Sequence, residues 1–120
     1  MSYILIGSPD KISMGAFLRH IRRYFPDHQV GDLHSLMTPE NINLYVKDFS
    51  IKFPNGIFTY YAKRSVSKDP KTCLPEEVFK MADVIIWFDL YSNDPIVLKD
   101  SDGSLNVAID NWNKYIQSIS

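Results

Sequence analysis

The chain has 120 residues, with 13 Lys and Arg against 14 Asp and Glu, for a net charge of −1. Near-neutral charge excludes a general nucleic-acid coat, which needs a strongly basic domain. With 45% hydrophobic and 13% aromatic residues the chain can build a core, so it is not a disordered polymer. No apolar run approaches the ~20 residues of a membrane helix, and the start, Met1-Ser2-Tyr3-Ile4-Leu5-Ile6, lacks the basic lead-in of a secretory signal. One cysteine, Cys73, rules out an internal disulfide and suits a reducing cytoplasm. One soluble cytoplasmic domain over residues 1–120 is expected.

Tyr3 to Ile6 reads as a strand, closed by the turn formers Gly7-Ser8-Pro9-Asp10. Ser13 is then expected to cap a helix whose inner face is Met14, Phe17, Leu18, Ile21, Tyr24 and Phe25, with Arg19, His20, Arg22 and Arg23 opposite. Pro26 ends it, because the residue before a proline avoids the α region. Thr38-Pro39-Glu40 opens a short helical turn, Thr as cap and Pro first, that gives way to a strand by about Val46. Asn55-Gly56 is a type I′ turn pair between β-rich runs. It predicts a hairpin pairing Phe53 with Phe58, Ile51 with Tyr60 and Phe49 with Ala62 on one apolar face.

Arg64 to Leu74 reads as a loop, and Pro75-Glu76-Glu77 starts a short helix with acids at its positive end. Val84-Ile85-Ile86-Trp87-Phe88 has the unbroken apolar pattern of a strand covered on both faces. A second hairpin is expected around Asp100-Ser101-Asp102-Gly103, joining Ile96–Lys99 to Ser104–Asn106. A last helix runs from about Val107 with Ile109, Trp112, Tyr115 or Ile116, and Ile119 on one inward stripe. The elements predict an α+β domain, a mixed or antiparallel sheet of about four to six strands with helices packed on it.

Chemistry-bearing motifs are sparse. His28 and His34 match no common zinc spacing, no C-x-x-C completes a metal site, and the residues around Cys73 fit no nucleophile motif. A calcium loop with its glycine at Gly103 would begin at Leu98 and end at Ile109, where carboxylates are required. Neither G-x-S-x-G nor a P-loop occurs, so no metal, cofactor or enzymatic activity is expected. The alternative is a small nucleotide- or phosphate-binding enzyme using the Gly7-Ser8 turn, since amides at a helix start bind phosphate.

Charge is unevenly spread. Residues 1–82 carry 11 basic and 8 acidic groups, whereas residues 83–120 carry 2 basic and 6 acidic. The acids of the second part, interleaved with Trp87, Tyr91 and Trp112, suit a surface that steers and anchors a basic protein. Asp89, Tyr91, Asp94, Asp100 and Asp102 are the candidate partner-binding residues. The basic face at Arg19, Arg22 and Arg23 is the competing surface, for which nucleic-acid phosphates are a less favoured partner.

In size, charge, mixed core and acidic, aromatic-rich end, the chain resembles the small cytoplasmic immunity proteins of bacterial toxin–immunity systems, such as contact-dependent growth inhibition. The resemblance implies one-to-one binding to a cognate toxin domain, often a basic nuclease, whose active site or substrate surface is blocked. Acidic side chains would then stand in for the substrate's phosphates.

Overall fold

In a computed structural model that describes residues 2–62, 74–89, 94–101 and 103–119, the first strand is β1 (Ser2–Ser8) and the first helix α1 (Lys11–Arg22). They are followed by β2 (Gln29–His34), α2 (Pro39–Lys52), β3 (Asn55–Tyr61), α3 (Glu76–Met81), β4 (Val84–Trp87), β5 (Ile96–Asp100) and α4 (Asn106–Ile119). The five strands form one mixed sheet in the order β2-β3-β1-β4-β5, and the protein is an α+β domain. β1 to β4 are mutually parallel, and β5 alone runs antiparallel, against β4.

β1 lies at the centre and buries both its faces, which is why Tyr-Ile-Leu-Ile reads as an unbroken apolar run. Ile4 and Ile6, with Ile57, Val84 and Ile86, pack under Met14, Phe17 and Ile21 of α1 and Ala108 and Trp112 of α4. Tyr3 and Leu5, with Phe58, Tyr60, Ile85 and Trp87, pack against Ile42, Val46 and Phe49 of α2 and Val78 of α3. The chain moves outward from β1 to β2 through α1 on one face, then returns to β3 and on to β4 through α2 and α3 on the other. Changing face as direction reverses keeps these crossovers of one hand.

The hairpin expected at Asn55-Gly56 does not form. The stretch read as its first strand is the second half of α2, and β3 pairs in parallel with β1 and β2. Ile42, Val46 and Phe49 are the buried positions, at spacings of four and three, so the helical period continues past Val46 until Pro54. Phe53 caps α2 while Ile51 is exposed, so the Phe53–Phe58 and Ile51–Tyr60 pairs are absent. Gly56 answers a close approach: a Cβ there would lie 2.4 Å from the Phe49 ring.

The second expected hairpin is also replaced. β5 pairs backward with β4, and residues after Gly103 enter α4. Gly103 takes φ +68°, and its N–H donates to the Asp100 carboxylate at 2.9 Å. The cap of α1 is Asp10, not Ser13: its carboxylate accepts from the Ile12 N–H at 2.9 Å and from the Ser13 hydroxyl at 3.0 Å. Thr38 and Pro39 start α2 as expected, with the Thr38 hydroxyl accepting from the Asn41 N–H. The loop expected from Arg64 lies outside the described residues as far as Cys73.

Candidate protein-binding edge

Among the described residues the sheet ends on β5, with no strand beyond its outer side. Its apolar residues Ile96, Val97 and Leu98 are 42%, 43% and 47% exposed. Neither core cluster includes a β5 residue, and its pairing with β4 shifts register between Ile85 and Ile86. Lys99 does not guard the edge with its charge, because its ammonium donates to the Phe79 carbonyl at 3.2 Å. A consecutive apolar edge is a template for an incoming strand, and the register shift on its inner side is one of the devices by which native sheets blunt such edges.

The acids expected to form one patch are distributed along this edge. Asp89, half-buried, follows β4 at the carboxyl end of the parallel strands, and exposed Asp94 precedes β5 at that same end. Asp100, half-buried, pairs with Val84 at the opposite end, beyond the roughly 14 Å that β5 spans. Tyr91 and Asp102 lie outside the described residues. Asp83 is structural: its carboxylate accepts from the Tyr3 N–H at 2.9 Å and its carbonyl from the Ser101 N–H at 3.1 Å.

Both tryptophans serve the interior. Trp87 stacks on Tyr60 and lies over Gly7, while Trp112 packs edge-on against Phe17 at 5.1 Å. The apolar anchors of the edge are therefore Ile96, Val97 and Leu98, which sequence reasoning assigned to a hairpin. The run of three consecutive apolar residues was the available signal, whereas their exposure is set by the fold.

Gly7 and Ser8, expected in a turn, are the last residues of β1, and the connection from there to α1 is already filled by the protein. The Ser8 side chain is fully buried, its hydroxyl donating to the Asp10 carbonyl and accepting from the Asp10 N–H. The Asp10 carboxylate occupies the anion seat at the start of α1, where a phosphate would have to bind. On the same helix Arg19, Arg22 and Arg23 are exposed, and among the described residues they form no ion pair. His20 is committed to packing, its Nε2 2.8 Å from the Ala108 carbonyl and its ring between Tyr24 and Trp112. Among the described residues no three His, Cys, Asp or Glu side chains gather as a metal site, and no helix is long and apolar enough to cross a membrane. No protein-family model matches the chain, and neither a curated protein nor a solved structure does.

Proposed function

We propose that this chain is a protein-binding module that neutralises a partner in the bacterial cytoplasm, as the immunity proteins it resembles neutralise their toxins, docking through the β5 edge. The observation that carries the reading is the uncovered run Ile96-Val97-Leu98 on the last strand of the sheet. An extended segment of the partner would join β5 as a further strand, gaining main-chain hydrogen bonds, with alternate side chains setting specificity. Asp94 and Asp100 bracket the edge and favour a basic segment, as a nuclease's substrate groove supplies.

The test is co-purification and co-expression with the product of the adjoining toxin gene. Replacing Val97 and Leu98 together by Lys places two cations on the edge while leaving both buried cores untouched. The expected result is loss of the complex and of protection, with thermal unfolding within a few degrees of the parent. Retained protection would overturn the edge as the docking surface. A parent chain that binds and protects against nothing from its own locus would overturn the neutralising role.

A further inference from the structure

At the other side of the sheet, Lys11 and Met14 of α1 roof a cavity of about 370 Å³ over the carboxyl ends of β2 and β3. Sheets wound in opposite senses from a central strand bind ligands at such carboxyl ends, where neighbouring connections leave to different faces. Here that divergence falls between β1, which leaves through α1, and β3, which leaves to the other face, and the cavity lies one strand further out, over β3 and β2. The volume falls at the small end of ligand pockets, roughly 300–1,000 Å³.

Among the described residues the cavity carries one carboxylate and one ammonium, and the two are held by different partners. Asp32 and Thr59 are register neighbours, and the buried Thr59 hydroxyl donates to Asp32 Oδ1 at 2.8 Å. The Asp32 backbone N–H donates to the Tyr45 hydroxyl at 3.2 Å, so backbone and carboxylate are both anchored. Lys11 Nζ sits 5.3 Å from the centre of the Tyr61 ring. Among the described residues neither Asp32 nor Lys11 forms an ion pair. A carboxylate on the edge strand β2 is explained by protection against strand addition. That explanation does not account for a buried hydroxyl fixing its orientation, or for an ammonium on the same cavity that meets the Tyr61 ring and, among the described residues, no carboxylate.

We propose that this cavity binds a small zwitterion, a free amino acid with an apolar side chain, its ammonium on Asp32 and its carboxylate on Lys11. Met14 and the Tyr61 ring supply the apolar wall for the side chain. The site is independent of the β5 edge, which lies across the sheet.

The experiment is a titration of isotope-labelled protein by NMR with leucine and phenylalanine. It is repeated with 4-methylpentanoate, which lacks the amine, with isoamylamine, which lacks the carboxylate, and with ribose 5-phosphate. Saturable shifts at Asp32, His34, Thr59 and Tyr61 are expected with the amino acids, each half-ligand binding at least about tenfold more weakly. Asp32→Asn keeps an oxygen for Thr59, and should weaken leucine about tenfold while leaving 4-methylpentanoate unchanged. Absence of saturable shifts, equal binding of a half-ligand, or binding of ribose 5-phosphate alone would each overturn the assignment. Should the variant fail to fold, the half-ligand comparison on the parent decides.

Discussion

Two glycines show how differently one residue type can be used. A Cβ on Gly7 would lie 2.0 Å from the Trp87 ring, itself 3% exposed and stacked on Tyr60, so nothing near it can yield cheaply. Gly7→Ala should therefore cost about 3 kcal/mol, the upper part of the overpacking range, read as a lower urea midpoint. Gly15 lies inside α1, and its nearest obstacle is the Arg19 guanidinium at 3.6 Å, which is ordinary contact. Gly15→Ala should raise stability by about 0.5–1 kcal/mol in the same measurement, because alanine loses less backbone entropy in a helix. Tyr3 supplies a pH-dependent counterpart. Its hydroxyl donates to the Phe53 carbonyl at 2.7 Å, and burial first, then the Asp83 charge, raises its pKa above the ordinary 10.0. A raised folded-state value means that the neutral phenol is favoured. Its stabilisation is complete below 10.0 and is lost as pH rises through the folded value. Tyr3→Phe should cost about 1 kcal/mol at neutral pH. That gap should narrow in denaturation curves taken above pH 10.0, and a constant gap would show that the phenol's ionisation is not linked to folding.

Among the elements, α1 offers the sharpest check on how starts are chosen. Asp10 carries the cap, accepting from the Ile12 N–H and from the Ser13 hydroxyl, and the Ser13 side chain is a donor to that cap. Asp10→Ala should lower stability by about 1 kcal/mol and Ser13→Ala by less, compared by thermal unfolding. Equal losses would mean that the Asp10–Ser13 bond matters more than the cap itself. The same helix shows what sequence could give: its inner face Met14, Phe17 and Ile21 was legible from spacing, while its start was misplaced by three residues. β1, β4 and α4 were legible because their apolar patterns are long or unbroken. β2 was not, since Gln-Val-Gly-Asp-Leu-His is short and polar on one side, as an edge strand is. The hairpin error came from local chemistry. Asn-Gly matches a type I′ turn, but that turn requires positive φ at both residues, and Gly56 was instead needed so that Phe49 could reach the sheet. Two periods competed over residues 46–53, and the helical one prevailed because it buries Val46 and Phe49 on β3. Of the candidate site the sequence offered the excess of acids, a composition signal, which the fold spreads along β5 instead of gathering into one patch. Its apolar edge was hidden, because which strand ends the sheet is settled by long-range pairing.

For the whole molecule, charge and edge act on different stages of association. On the proposed docking through β5, the acids flanking it would act at range and set the encounter rate, whereas Ile96, Val97 and Leu98 would act on contact and set the lifetime. Exposed charges are screened beyond about 8 Å at physiological ionic strength, so steering by Asp94 should fade as salt is added. Asp94 is the residue to reverse, because it is exposed and precedes the strand, whereas Asp100 holds the Gly103 N–H and its loss would disturb the entry to α4. Asp94→Lys should slow association with a basic toxin domain several-fold at low salt, leave dissociation nearly unchanged, and flatten the dependence of the on-rate on salt. Stability should stay within about 0.5 kcal/mol, as is usual for an exposed position. The measurement is binding kinetics of parent and variant at two salt concentrations against the same partner. An unchanged on-rate would remove the acids from the encounter and leave the apolar edge to account for recognition alone. A slower on-rate that keeps the parent's salt slope would mean that the substitution altered contact geometry instead of steering, and the flanking charge would then belong to the interface itself.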